Sequence, residues 1–352
     1  MSEKNFILKR WKLIVNYLTI FALIVLAFAL RHQLSQTFEN LKHVNAAWLL
    51  LMIPIQGWNY YAQSRLFQSI LGVLGNKLSF YYLYVLSLEL NFVNNVFPSG
   101  GLSGASYFAA RIRSKEITVG RATFTYVMKL ALIFISFQVL VIFGLFLLAI
   151  NGNVNQFVIF VASFSSGLII AGIFLFVYII GSKSRITTTF VYLTKIMNKI
   201  IGFVLPKHPE MINLERAKFV FEDFHDNYNI LKSKLPELKK PLYYGFINNI
   251  TELMSIYVVY LAFGHWVNPG AIILAYAIAN FAGLIAVLPG GIGVYEAMMV
   301  AVMVAAGIPA NLSLSVTIMY RVLNTLIQLP PGYYFWHRRS KLSMSEAVDG
   351  TD

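Results

Sequence analysis

The chain has 352 residues, 58% of them hydrophobic and only 12% charged, with no cysteine and a formal net charge of +13. A soluble globular domain carries about 25% charged residues, so composition excludes a water-soluble fold; the missing cysteine excludes disulfides and thiolate metal sites. The cations lie in connections that flank apolar stretches, a pattern of membrane sidedness and attraction to anionic lipid rather than of nucleic-acid binding.

In chain order, Lys4, Lys9, Arg10 and Lys12 precede the first apolar run, 13–30. Ala27-Phe28-Ala29 has the small-residue spacing of a signal-peptidase site, but the run exceeds the roughly 7–15 residues of a signal-peptide core and reads as a retained first transmembrane helix. Further apolar segments follow at 46–63, 81–97, 98–110, 123–150, 156–180, 242–262, 271–288, 292–307 and 312–336. About 20 apolar residues cross a hydrocarbon core of roughly 30 Å.

Loop charge predicts which side each connection faces. The leader carries four cations and one anion, the 111–121 connection four and one, and the 182–240 connection eleven and six, with Arg338, Arg339 and Lys341 after the last span. The connections 151–155, 263–270 and 308–311 have no Lys or Arg. With every basic connection cytoplasmic, 81–97 and 98–110 must enter and leave on one side, and 271–288 and 292–307 on the other. The 13 residues of 98–110 reach only about 20 Å as a helix, too short to cross. The expectation is an all-α polytopic bundle of six full spans plus two re-entrant helical hairpins of opposite orientation, with both termini cytoplasmic. The hairpins resemble each other: Gly75, an apolar helix and Pro98-Ser99-Gly100-Gly101 in one, Gly264, an apolar helix and Pro289-Gly290-Gly291 in the other. Such an inverted repeat marks transporters. The whole of 1–352 reads as one membrane domain. Its 182–240 cytoplasmic loop carries Ala217, Phe221, Phe224, Tyr228, Leu231 and Leu235 at the spacing of an amphipathic helix.

Chemistry concentrates at the two tips. Proline ends each incoming helix and glycine frees the next turn, so the outgoing half-helix starts with unpaired N–H groups and a positive dipole end that attract a phosphate or carboxylate. Of 43 charged side chains, Glu89, Lys129, Glu252, Glu296 and Arg321 alone fall inside the predicted spans, where charge is costly and faces a partner or a polar pathway. Lys129 lies near a span end and is expected to snorkel. Arg321 is the natural counter-charge for Glu296 or Glu252, or the holder of an anionic substrate. Asn91, Asn94, Asn95, Asn248, Asn249, Asn280 and Asn324 add a polar lining. Catalytic signals are weak: the histidines do not pair at metal-ligand spacing, and Glu222-Asp223-Phe224-His225-Asp226 reads as the solvated face of the loop helix. Gly100-Gly101-Leu102-Ser103-Gly104 lacks the lysine of a nucleotide loop. Neither metal nor cofactor is expected.

The stretches Asn94-Asn95-Val96-Phe97-Pro98-Ser99-Gly100-Gly101 and Leu288-Pro289-Gly290-Gly291-Ile292-Gly293-Val294-Tyr295-Glu296-Ala297, with Tyr320-Arg321, resemble the flippase-like family of lysylphosphatidylglycerol synthase transmembrane regions over about residues 13–336. The resemblance implies lipid translocation across the cytoplasmic (plasma) membrane: in some members of an aminoacylated phospholipid, while others are linked to polyprenyl-phosphate sugar handling. Because the chain ends soon after its last span, the expectation is a protein without the synthase domain or lysyltransferase activity, and not an enzyme. Many members carry an acid and an arginine soon after the first Gly-Gly; Ser103, Gly104, Ala105 and Ser106 stand there, and Arg111 is the nearest match for the cation. The headgroup of an anionic phospholipid or polyprenyl-phosphate lipid is then expected at Pro98, Ser99, Gly100, Gly101 and Arg111 and at Pro289, Gly290, Gly291, Gly293, Glu296 and Arg321, with Glu89 and Glu252 balancing charge or coupling protons. Membrane lipids are the expected partners, with a homo-oligomer or a lipid-modifying enzyme beside them. The alternative function is a non-catalytic membrane partner of a lipid-modifying or glycosyl-transferring enzyme.

Overall fold

A computed structural model describes residues 28, 31–42, 44–97, 102–113, 115–150, 156–204, 214–285 and 293–349. Both tip motifs, 98–101 and 286–292, and nearly all of the first predicted span lie outside them. The described residues contain helices and turns and no strand. The helices are α1 (Arg31–Asn40), α2 (Ala46–Leu50), α3 (Met52–Val73), α4 (Phe80–Val96), α5 (Leu102–Arg113), α6 (Val119–Ile150), α7 (Gln156–Ile180), α8 (Lys183–Val204), α9 (Leu214–Ser233), α10 (Lys239–Ala262), α11 (Pro269–Ile285), α12 (Val294–Ala305) and α13 (Ala310–Asp349).

An internal repeat is written in these lengths. α4 has 17 residues and α5 has 12; α11 has 17 and α12 has 12. Before each pair stands a longer helix closed by a glycine at positive φ, Gly75 at 89° and Gly264 at 77°. After each pair the chain again takes positive φ, at Glu116 (60°) and Gly307 (87°), and enters a long helix, α6 or α13. Twelve residues rise only about 18 Å, so neither α5 nor α12 can cross a bilayer by itself. Both pairs double back. Tyr82, near the start of α4, donates to the carbonyl of Arg111, near the end of α5, at 2.7 Å, and α12 packs along α11.

Among the described residues three helices are long and apolar enough to cross a membrane: Val119–Ile150, Ala162–Ile180 and Ala310–Arg338. Ile142, Phe143 and Phe146 of α6 and Phe160, Phe164 and Phe174 of α7 are exposed, as lipid-facing side chains are. The predicted spans 46–63 and 242–262 correspond to α3 and α10, whose apolar character is broken by Gln56, Asn59 and Gln63 and by Asn248, Asn249 and Thr251. On α3 these side chains recur every three or four residues and so share one face, as Asn248 and Thr251 do on α10, while Asn249 turns to Ser136.

The chain divides into two compact units. The first comprises 1–56, 88–104 and 253–352; in it α12 packs on α11 and α13, and α13 on α1. At Gly332 an added Cβ would lie 2.6 Å from Phe92 Cβ and 2.7 Å from the Leu88 carbonyl oxygen, so glycine is what lets α13 touch the backbone of α4. The ring of Phe92 then lies between Tyr333 and Trp336, 5.6 and 5.4 Å from their centroids. Gly332→Leu is therefore expected to lower stability by about 1–3 kcal/mol through overpacking. Thermal unfolding in detergent reads the loss; an unchanged midpoint would refute the contact.

The second unit comprises 57–87 and 105–252. Its loop helices α8 and α9 pack on each other, and α9 packs on α6. Phe224 and Leu231 are buried there with Phe124, Met128 and Leu132, whereas Leu235, the last residue of the predicted stripe, is exposed in a 3-10 turn beyond the end of α9. The acid/His cluster is not simply a solvated face. Asp223 Oδ2 accepts from the Arg121 N–H at 3.1 Å, capping the start of α6; His225 Nδ1 donates to the Ile180 carbonyl at 2.6 Å; Glu222 pairs with Lys183 at 3.2 Å.

Candidate functional site

Gly293 opens α12 at φ 88°, a conformation that only glycine adopts without strain. Three residues on, Glu296 reaches back, and its Oε2 accepts the Gly293 N–H at 2.7 Å. The carboxylate thus closes the first turn of a helix whose N-terminus carries partial positive charge. The same carboxylate accepts from Arg321 Nη1 through Oε1. Arg321 comes from α13, which packs against α12, and its guanidinium lies 4.8 Å from the centroid of the Tyr295 ring. The Glu296 side chain is 7% exposed and that of Arg321 18%. The acid is thus shut in, while the planar cation is partly exposed, and a guanidinium's forked donors suit a phosphate-like anion as well as a carboxylate.

From Arg321 a row of amides runs along one face of α13. Asn324 and Gln328 follow at three and seven residues, the helical spacing of one face. Gln328 Nε2 donates to Asn324 Oδ1 at 3.0 Å and to Gln56 Oε1 at 3.2 Å, and Gln56 Nε2 donates to Ser255 Oγ at 3.0 Å. Asn95 Nδ2 joins at Gln328 Oε1, 3.5 Å away, and Asn324 Nδ2 reaches the Tyr320 hydroxyl at 3.5 Å. Every member belongs to the first unit.

The structure therefore brings together Gly293, Glu296 and Arg321 of the residues the sequence singles out. The Gly293 N–H is directed to Glu296 rather than outward. Pro98, Ser99, Gly100, Gly101, Pro289, Gly290 and Gly291 lie outside the described residues. Glu89 is fully buried in the first unit and already engaged. Arg111 and Glu252 belong to the second unit; Arg111 stands 5.9 and 6.0 Å from the rings of Tyr82 and Tyr107. Sequence reading missed Gln56, Gln328 and Ser255, although their signal was present as polar positions repeating at helical spacing within apolar runs.

Lys129 corrects an expectation. It does not snorkel: it is 8% exposed, donates to Gln63 Oε1 at 3.0 Å, and lies 4.9 Å from the Phe67 centroid. Gln63 donates in turn to Asn59 Oδ1 at 2.8 Å, and Asn59 to Thr251 Oγ1 at 2.9 Å. This second polar chain lies wholly in the second unit. A groove of about 820 Å³ in the same unit, lined by Arg113, Glu116, Thr118 and Phe219 among others, holds none of the membrane-embedded charges. Among the described residues no three His, Asp or Glu side chains gather as a metal site.

The family described as the lysylphosphatidylglycerol synthase TM region matches residues 13–332. The chain is 23% identical over 336 residues to a UPF0104 membrane protein of Methanocaldococcus jannaschii, covering 91% of this chain and 92% of that one. It is 24% identical over 183 residues to a UPF0104 membrane protein of Pyrococcus horikoshii, covering 52% and 54%. A UPF0104 membrane protein of Methanothermobacter thermautotrophicus is 32% identical over 75 residues, covering 21% and 22%.

Proposed function

The chain belongs to the lysylphosphatidylglycerol synthase TM region family, and from that membership we propose that it moves an anionic phospholipid or polyprenyl-phosphate lipid across the cytoplasmic membrane. The observation that carries this reading is the Arg321–Glu296 pair at the start of a helix too short to cross a bilayer. A structural ion pair needs no exposure, yet the Arg321 side chain is 18% exposed. The lipid phosphate docks there, while Glu296 holds the guanidinium in place. The two hairpins dip in from opposite faces between six full spans, both termini face the cytoplasm, and access alternates as one repeat rocks against the other. The protein acts on lipids as a carrier and catalyses no group transfer.

Reconstitution tests this. Liposomes carrying the protein and a fluorescent phosphatidylglycerol should expose the inner-leaflet dye to an external quencher. Glu296→Gln should slow exchange at least about tenfold, the effect of losing one charge-assisted hydrogen bond. Exchange at the wild-type rate would remove the pair from the mechanism. A second reading, a membrane partner of a lipid-modifying enzyme, is favoured by the groove beside α6 and α9, where Phe219 is exposed. It predicts no exchange even in the wild type.

A further inference from the structure

The amide row along α13 joins side chain to side chain, as the Gln63–Asn59–Thr251 chain of the second unit does. Asn249 donates to the Ile133 carbonyl at 3.0 Å and to Ser136 Oγ at 2.7 Å, and Asn280 to the Tyr276 carbonyl at 2.8 Å, as polar glue between or along membrane helices does. Gln328, which is buried, gives its amide N–H groups to Asn324 Oδ1 and Gln56 Oε1 and so fixes how Asn324 is turned. Two polar atoms remain under-used at the half-buried edge. Asn324 Nδ2 has only the long 3.5 Å contact to the Tyr320 hydroxyl. Asn95 donates through Nδ2 to the Asn91 carbonyl and to Gln328, and its Oδ1 accepts no hydrogen bond among the described residues. The open donor, on Asn324 one turn of helix beyond Arg321, and the open acceptor, on Asn95 of α4, belong to residues that both bond Gln328.

We infer that the Arg321 site takes a lipid whose phosphate carries a hydroxyl-rich, uncharged headgroup, read by Asn324 and Asn95 and positioned by Gln328. A hydroxyl both donates and accepts, and it matches a carboxamide oxygen and a carboxamide N–H together. An ammonium headgroup needs a carboxylate, and both buried carboxylates of this unit are taken. Glu296 holds Arg321 and the Gly293 N–H, and Glu89 is already engaged. A bare phosphate leaves the two amides without partners, and a buried polar group left unpaired costs more than its bond returns. This inference rests on the reading that a lipid phosphate docks at Arg321.

The test measures binding, not transport. The full chain, purified in detergent, is offered equal amounts of phosphatidylinositol, phosphatidic acid and phosphatidylethanolamine with matched acyl chains, and retained lipid is counted by native mass spectrometry. The wild type should retain phosphatidylinositol above phosphatidic acid, and phosphatidylethanolamine least. Asn324→Leu and Asn95→Leu should each cut the phosphatidylinositol to phosphatidic acid ratio about fivefold, the weight of one neutral hydrogen bond, leaving phosphatidic acid retention unchanged. Gln328→Leu should lower the same ratio. Asn324→Ala removes the donor without adding bulk and reads the same ratio if leucine disturbs folding. Free inositol 1-phosphate should not displace the lipid. The inference is overturned if the wild type does not prefer phosphatidylinositol, if phosphatidylethanolamine is retained best, if phosphatidic acid falls together with phosphatidylinositol in the variants, or if the free phosphate displaces the lipid. Absent leaflet exchange with the preference intact defeats the transport reading alone; lost preference with exchange intact defeats this inference alone.

Discussion

Arg321→Ala is expected to destabilise the protein by about 3–5 kcal/mol, whereas Glu296→Gln should cost about 1 kcal/mol, although the two substitutions break the same ion pair. The asymmetry comes from what each leaves behind. Without Arg321, a carboxyl group that is 7% exposed is left buried without its counter-charge, while the Gly293 N–H still donates to it. With glutamine at 296, a carbonyl oxygen can still accept the Gly293 N–H and hold the first turn of α12. The guanidinium left over is 18% exposed and stacked on Tyr295, so water and the ring support it. Lipid exchange should fall in both variants, because one lacks the cation and the other lets it wander. A double variant, Arg321→Leu with Glu296→Gln, removes both charges and keeps the N-terminal acceptor. It should recover most of the stability and none of the exchange. Thermal unfolding in detergent and dye exchange in liposomes read the two effects separately. Equal destabilisation by the two single changes would mean that Glu296 is not buried as described, and exchange by the double variant would reduce the pair to a structural strut.

The features legible in the sequence were those fixed by local chemistry. Proline removes a backbone donor and glycine loosens the chain, so their clustering in an apolar run favours a helix break, although α13 continues through Pro330-Pro331-Gly332. The matched helices of 17 and 12 residues that flank the two tip motifs agree with that. Glu296 and Arg321 were legible because charge inside an apolar span demands a partner. What was not legible depends on which way a helix face turns. Lys129 stands a few residues inside the predicted span at 123, which suggested snorkelling. The helix in fact begins at Val119 and turns Thr125, Lys129, Leu132 and Ser136 inward together. Gln56 and Gln328 are unremarkable one at a time, and they gain meaning only when residues 272 apart in sequence meet. Asp223 looked solvated because its charge sits in a run of polar residues, yet it lies over the start of α6. In the 182–240 loop, periodicity places Phe224 and Leu231 in the core, while tertiary contact decides the places of Asp223 and His225.

The internal repeat bears on the second charged chain. Lys129 and Arg321 each lie 27 residues beyond the first residue of the short helix in their repeat, α5 and α12. One cation has a carboxylate, Glu296, and the other has an amide, Gln63. An ammonium supported by one neutral oxygen and aromatic faces depends heavily on that oxygen. Gln63→Leu is therefore expected to destabilise by about 3–5 kcal/mol, since it strands a buried charge and cuts Asn59 from its donor. Lys129→Met should cost about 1 kcal/mol, because a straight apolar side chain fills the space between Phe67 and Tyr126 and only the Gln63 oxygen loses its partner. In the pair Lys129→Met with Gln63→Leu, both polar ends are gone and the Asn59 bonds to Asn248 and Thr251 remain. The double variant should be more stable than Gln63→Leu alone, so the coupling energy of the cycle is favourable and measurable by thermal unfolding. If Lys129→Met proves the more damaging of the two single changes, the ammonium is held by something other than Gln63, and the difference between the repeats, a carboxylate in one and an amide in the other, does not set how their cations are kept.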